Sequence, residues 1–468
     1  MNRLTRTLAL GVCSVAFVPA ALAQSNVLLV IADDLGTDKL ASYSPGGDSP
    51  LPETPTLDAL AASGVSFDNA WACPVCSPTR ATILTGRYPF RHGVKFALPG
   101  SQALALEETT IPEVLDLAQI QGGPDVGSGA IGKWHLQGAA QGGADHPNLQ
   151  GFDHYEGTLN GAPTGPDGYY GWIETVNGES SLNTNYLTTE QVDDALAFIE
   201  AQDDRWFCWL AFNAPHTPFQ APPEELHGVD LPEVQDPSDD PVPFFNAMVE
   251  ALDTELGRLF ASMDPEVLAN TTVIFVADNG TTGDVVLDPY DPLRSKGTVY
   301  QNGVRVPLIV SGPGVLLPGR RESAQVDVSD LFATSLELLG VNAWPQLLPD
   351  DTNIDSVSLL PYLLNPLASA QRDFVFTEVH APVAIPGVIT ASLDGGLVAG
   401  AQAAQSQAYR EGVFKLVRQS NGSLELYNLL TDPLETNDLL FPPFLTSEFA
   451  AAKARELSRK LLALTGSE

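Results

Sequence analysis

Cys76-Ser77-Pro78-Thr79-Arg80 places a thiol beside a cation at what reads as the start of a helix. Ser77 is suited to cap that helix and Pro78 to its first turn, with Ala81 to Thr85 continuing it to Gly86. The unpaired N–H groups and the dipole at a helix start favour an anion, and Arg80 adds positive charge within the first turn. A nucleophile-grade side chain next to an anion site suits attack on an ester of a strong oxyacid. Two further segments, Asp33-Asp34 and Asp278-Asn279, offer oxygen ligands only, which fit Ca2+ or Mg2+ better than zinc or copper. Either pair alone is equally at home as a cap or a turn. Candidate acids and bases are Lys133, His135, His216 and Lys296. Lys133 and His135, two apart, share a face if their segment is extended. His216 lies between Pro215 and Pro218, on a loop that the prolines stiffen. Lys296 is, on composition alone, no different from a loop lysine.

The elements that must carry these residues are legible as periodic segments. Asn26 to Ala32 and Thr271 to Ala277 are continuous apolar runs, as in strands buried on both faces, and each ends directly in an acidic pair. Ala130–Trp134, Trp206–Phe212 and Val306–Ser311 are further strand candidates. Helical patterns at Pro55–Ser63, Ile111–Gln119, Thr189–Gln202, Pro243–Met263 and Val328–Leu339 alternate with them. This order predicts an α/β fold: a large mixed, mainly parallel sheet sandwiched by helices, with ligands beyond the carboxyl ends of the strands. After Pro366 the pattern changes to short strands at Phe374–Val379, Val413–Arg418 and Leu424–Tyr427 and a closing amphipathic helix from Ser447 to Leu464. That predicts a smaller C-terminal α+β subdomain with an antiparallel sheet. The expected division is a leader at 1–23, a catalytic domain at 24–370 and the subdomain at 371–468. Segments 142–171, 227–242 and 380–410 read as loops, the place to expect specificity.

The first residues have the form of a secretory signal: basic Arg3 and Arg6, an apolar run from Leu8 to Ala21, and a small-residue cleavage site at Ala21-Leu22-Ala23. The run is too short to span a bilayer, so the expectation is a periplasmic or secreted protein with no membrane insertion. The 468 residues carry 58 acids against 23 bases, a formal charge of −35, which excludes nucleic acid as a partner and requires a local cluster of cations for any anionic substrate. Cys73, Cys76 and Cys208 remain beyond the leader, an odd number that argues against a disulfide framework.

Taken in order, Ala32-Asp33-Asp34-Leu35-Gly36, Cys76-Ser77-Pro78-Thr79-Arg80 with Leu84-Thr85-Gly86-Arg87, Gly132-Lys133-Trp134-His135, Pro215-His216, Ala277-Asp278-Asn279-Gly280, Lys296-Gly297 and the closing Leu426-Tyr427-Asn428-Leu429 and Asp432-Pro433-Leu434-Glu435 resemble the type I sulfatases of the alkaline phosphatase superfamily. The resemblance spans Asn26 to Asp438. It implies that Cys76 is oxidised to formylglycine by a formylglycine-generating enzyme, and that Asp33, Asp34, Asp278, Asn279 and modified Cys76 bind one divalent cation, usually Ca2+. It implies that Arg80, Lys133 and Lys296 neutralise the sulfate and that one hydroxyl of the formylglycine hydrate attacks sulfur, with Asp278 as base. His216, with Lys296, would protonate the departing alcohol, and His135 would deprotonate the second hydroxyl to expel sulfate. A sulfated small molecule or oligosaccharide is the implied substrate.

Three departures stand out: Thr79 where serine is more usual, Gln301-Asn302-Gly303 where relatives often have Glu-Gly-Gly, and Cys73, which forms a Cys-x-x-Cys with Cys76. Three rival readings remain open at this point. The same ligands and cations would serve a phosphodiesterase or phosphonate monoester hydrolase. An unmodified Cys76, for example one paired with Cys73, would leave an anion-binding scaffold. The Cys-x-x-Cys could also belong to a thiol–disulfide oxidoreductase, although the usual small redox domain is missing.

Overall fold

The computed structural model describes residues 25–44, 50–99, 101–382, 403–441 and 448–466. The leader expected at 1–23 and the middle of the 380–410 segment lie outside them. The strands of the large sheet are β1 (Asn26–Ala32), β2 (Val65–Trp71), β3 (Val126–Gly132), β4 (His154–Gly157), β5 (Trp172–Val176), β6 (Glu179–Asn183), β7 (Arg205–Ala211), β8 (Thr271–Ala277), β9 (Leu308–Ser311) and β10 (Arg320–Asp327). Across the sheet they run β10-β2-β9-β8-β1-β7-β3-β4-β5-β6. The central block from β8 to β4 is parallel throughout. Strand β9 is antiparallel to both its neighbours, and the β5–β6 hairpin closes the other edge.

Every residue of β1 and β8 is buried, the physical consequence of helices packing on both faces of an apolar run. Their register, Asn26 opposite Thr271 to Ala32 opposite Ala277, makes Asp33 and Asp278 leave the sheet side by side. The Asp278 N–H donates to the Ala32 carbonyl at 3.0 Å, and the Asp34 N–H to Asp278 Oδ1 at 3.2 Å. Helices Pro55–Ser63, Ile111–Ile120, Leu187–Glu200, Pro241–Ser262 and Asp330–Leu338 occupy the predicted segments to within a few residues.

Where the fold departs from the pattern, the reason is local. The strand expected at Ala130–Trp134 is β3, which starts at Val126 and stops at Gly132, where φ is 90°. Lys133 and His135 therefore sit in the irregular segment after β3, not on one face of a strand. Strands β6 and β10 escape the pattern because edge strands need no apolar run: Glu179 to Leu182 are exposed, and β10 opens with Arg320-Arg321-Glu322. The 142–171 segment is not all loop, since it holds a helical turn at His146–Leu149 and β4; the 227–242 segment holds a short turn at Pro237–Asp239 and the start of helix Pro241–Ser262.

The second sheet is an antiparallel meander of β11 (Phe374–Pro382), β12 (Ala403–Glu411), β13 (Phe414–Arg418) and β14 (Leu424–Asn428). Helix Glu448–Thr465 lays Ala450, Ala454, Leu457 and Leu461 against it, one stripe at helical spacing. The sheet also buttresses the Cys76 turn. Val375, Val379, Ala408, Val417 and Tyr427 pack with Trp71, Val75 and Cys76, and Thr377 Oγ1 donates to the Ala72 carbonyl at 3.1 Å.

Candidate active site

Helix Cys76–Thr85 is buried along its whole length. Its N-cap is the extended Val75, without a side-chain cap; Ser77, the expected cap, instead accepts the Leu98 N–H on Oγ at 3.1 Å. Thr79 Oγ1 accepts the Cys73 N–H at 3.1 Å and donates back to the Val75 carbonyl at 3.3 Å, closing the turn that presents Cys76. That task needs only a hydroxyl, so threonine serves for serine. Gly86 ends the helix at φ 67°, where a Cβ would lie 2.9 Å from the Phe332 ring.

The side chains singled out in the sequence converge on the ends of β1 and β8. Arg80 donates from Nε (3.0 Å) and Nη2 (2.7 Å) to Asp278 Oδ2 and from Nη1 to the Lys133 carbonyl (2.8 Å). Lys133 Nζ donates to Asp33 Oδ2, and Lys296 Nζ to Asp34 Oδ2 at 2.7 Å. Asn279 Nδ2 donates to Asp34 Oδ1 at 2.8 Å. Three carboxylates and three cations thus interlock with almost no exposure. Burial works against ionisation of Asp34, but Lys296, His216 and Lys133 outweigh it and hold its carboxyl below the usual range. Asp33 goes the other way: burial and Asp278 push it well above that range.

The histidines are fixed by carbonyls. Nε2 of His135 meets the Leu98 carbonyl at 2.9 Å, and since a carbonyl only accepts, Nε2 carries the proton. Nδ1 is then a free base, 3.3 Å from Cys76 Sγ. His216 is locked the opposite way: Nδ1 donates to the Thr217 carbonyl at 2.8 Å, and Nε2 faces Asp34 Oδ2 at 3.8 Å. Burial, reinforced by Lys296 and Lys133, lowers the His216 pKa to about 3; burial and Lys133 hold His135 well below its ordinary value. The three described cysteines are free. Cys73 Sγ faces Thr82 Oγ1 at 3.7 Å while Cys76 faces His135. Burial, with Asp33 and Asp278 adding to it against Lys133, raises the Cys76 thiol pKa.

Comparison with known proteins gives the family. The sulfatase family model matches residues 25–341. The chain belongs to the sulfatase family. N-acetylgalactosamine-6-sulfatase of Sus scrofa is 32% identical over 376 residues, covering 72% of this chain and 66% of that protein, so the chain spans just under two thirds of that relative's length. Arylsulfatase A of Homo sapiens is 29% identical over 456 residues, covering 89% of this chain and 83% of that one. The crystal structure of Ps i-CgsB in complex with k-i-k-neocarrahexaose superposes with a TM-score of 0.75 at 25% identity, covering 94% of this chain and 93% of that chain.

The site has a donor set suited to a hard cation. Asp33 Oδ1 and Asn279 Oδ1 are buried acceptors without a hydrogen-bond partner, and Asp33, Asp278 and Cys76 each bring a ligand atom within 4.8 Å of the others. Oxygen donors at the ends of two adjacent strands fit Ca2+ or Mg2+. Cys76, His135 and His216 open on a cleft of about 260 Å³ whose wall also includes Leu159, Asn160 and Thr164, together with Leu98 and Gln137. Sequence reasoning named none of these wall residues. Only the Gly-rich, Pro-rich character of the 142–171 segment signalled them. It also missed Tyr169, whose hydroxyl meets the carbonyls of Asn213 and His216, each at 2.8 Å, and so fixes the His216 loop. Among the described residues no helix is long and apolar enough to cross a membrane.

Proposed function

We propose that this chain hydrolyses a sulfate monoester, on a carbohydrate and on aryl surrogates, to alcohol and inorganic sulfate, with Cys76 converted to formylglycine. The observation that carries the reading is the placing of Cys76 Sγ 3.3 Å from the unprotonated nitrogen of His135, inside a buried cluster of Arg80, Lys133, Lys296 and the β1 and β8 carboxylates. The cations can neutralise sulfate oxygens that the surface, at −35 overall, would repel.

An unmodified Cys76 suits this task poorly. A thiol of raised pKa is protonated at neutral pH and so a weak nucleophile, and a sulfated thiol has no second hydroxyl from which to expel sulfate. A divalent cation held by Asp33, Asp34, Asp278, Asn279 and modified residue 76 would add positive charge at the sulfate and acidify the attacking hydroxyl. Arg80, by its paired N–H groups, orients Asp278 to take the proton of that hydroxyl. As the new O–S bond forms and the ester O–S bond breaks, the Lys296 ammonium gives a proton to the leaving alcohol oxygen, directly or through Nε2 of His216, which is neutral with its own proton held on Nδ1 by the Thr217 carbonyl. His135 Nδ1 then takes the proton of the second hydroxyl. Its electrons form the aldehyde C=O, the C–O bond to sulfate breaks, and water restores the hydrate.

For the substrate, the N-acetylgalactosamine-6-sulfatase and the k-i-k-neocarrahexaose complex among the proteins this chain is similar to favour sulfated sugars, and the acidic surface favours exo action on an oligosaccharide over grip on a long polyanion. Maturation would require a formylglycine-generating enzyme and, with the leader at 1–23, export to the periplasm or beyond. The deciding experiment is parallel turnover of aryl sulfate, aryl phosphodiester and aryl phosphonate, followed by a screen of defined sulfated sugars. Preference for either phosphorus ester would overturn the reading. The intact mass of the tryptic peptide bearing residue 76 tests the modification; finding only thiol or disulfide in active enzyme would overturn it.

A further inference from the structure

A second acidic cluster is built from β4, β5 and helix Leu187–Glu200, none of which supplies a residue to the nucleophile cluster. Glu156, Glu174 and Asp194 each bring a carboxylate oxygen, all within 4.8 Å of one another. Asp194 is only 9% exposed, and its Oδ2 has no hydrogen-bond partner; nor has the buried Oε1 of Glu174. The remaining contacts are few: Asn183 Nδ2 donates to Glu174 Oε2 at 3.1 Å, and His154 Nε2 lies 3.1 Å from Glu156 Oε2. Glu190 and Asp193 add negative charge nearby, Glu190 held by Asn183 and Asn185 and Asp193 by Arg258. Among the described residues no Lys or Arg pairs with Glu156, Glu174 or Asp194.

Three carboxylates gathered without a cation must be neutralised for the chain to hold them there. One shared proton would serve a single pair, and His154, 3.1 Å from Glu156 Oε2, compensates the third carboxylate only when it is itself protonated. An ion about 2.4 Å from each ligand reaches oxygens up to roughly 4.8 Å apart, and Ca2+ tolerates uneven cages that Mg2+ does not. We propose that Glu156, Glu174 and Asp194 hold a second divalent cation, Ca2+, distinct from the one beside Cys76, which fastens β4, β5 and helix Leu187–Glu200 together. Burial and the surrounding carboxylates also push Asp194 up to about 9, the direction expected where negative charge is crowded. The site has a consequence for the cleft. Residues 158–171 run from β4 to β5 and supply Leu159, Asn160 and Thr164 to its wall, so the ion fixes both ends of that segment.

The test compares full-length wild type with Asp194→Asn and Glu174→Gln by bound Ca2+ per chain after equilibrium dialysis and by melting in chelator and in excess Ca2+. Each variant is expected to hold one Ca2+ fewer than wild type. In chelator Asp194→Asn should melt close to wild type, because without the ion Asp194 already holds a proton. In Ca2+ at a hundredfold excess over its dissociation constant wild type should gain roughly 2–4 °C that the variants lack. Asp33→Asn should remove a different ion and leave this gain intact, which separates the two sites. Unchanged Ca2+ content in both variants, or no Ca2+-dependent gain of wild type over them, would overturn the proposal in favour of a protonated carboxyl.

Discussion

Replacing His135 should split the reaction into its halves. The residue has φ 56°, a conformation that asparagine tolerates and alanine does not, so His135→Asn is the variant of choice. It removes a base fixed 3.3 Å from Sγ of residue 76 and one hydrogen bond to the Leu98 carbonyl. The structural loss is about 1 kcal/mol, too little to unfold the chain. The catalytic loss is that of one positioned general base, about 10²- to 10⁴-fold, or roughly 3–5 kcal/mol of barrier. If, as proposed, the imidazole acts only after the alcohol has left, the loss should fall on sulfate release alone. Rapid-quench assay with an aryl sulfate should therefore show a burst of one phenol per active chain, then a steady rate lowered by that factor. The peptide bearing residue 76 should gain the mass of one sulfuryl group during the slow phase. A steady rate within tenfold of wild type, or a slow variant with no burst and no sulfuryl adduct, would refute the assignment.

Cys76→Ala should abolish turnover while shifting the melting temperature by only a degree or two, since the side chain packs but its sulfur makes one weak polar contact. Chelation should remove activity, and Ca2+ should restore it; full activity after verified metal removal would contradict the proposed cation. Glu435→Gln should cost about 3–5 kcal/mol, read as denaturant midpoint, because Lys415, buried and 2.7 Å from Glu435, would lose its counter-charge. Asp327 tests the pH dependence of stability. Burial pushes it up to about 7 in the folded chain against Arg372, so the folded state binds its proton more tightly than the unfolded state does. Its contribution is thus full below about pH 4 and lost as pH rises through 7, roughly 2–3 kcal/mol between pH 5 and 7. Asp327→Asn should flatten that part of the stability–pH curve, and an unchanged slope would show the carboxyl to be ionised throughout.

The sequence by itself determined the chemistry available. Buried strands announce themselves as unbroken apolar runs, and β1 and β8 carry their acids at the very point where the run stops, so both the strand ends and the metal-ligand candidates could be read together. The Cys76 helix and the order of the remaining fragments were equally local. The tertiary structure decided what local pattern cannot encode. Edge strands β6 and β10 are half solvated and need no apolar signature; β12, rich in Ala, Gln and Ser, is held by its neighbours in the meander. Ser77 lost its expected capping role because a chain twenty-one residues on, at Leu98, reached its hydroxyl first. Lys133 and His135 were expected to share a face of a strand; a left-handed turn after Gly132 sends one to Asp33 and the other to Cys76. Which imidazole nitrogen is basic depends on carbonyls contributed by Leu98 and Thr217, and no side-chain pattern records the position of a carbonyl.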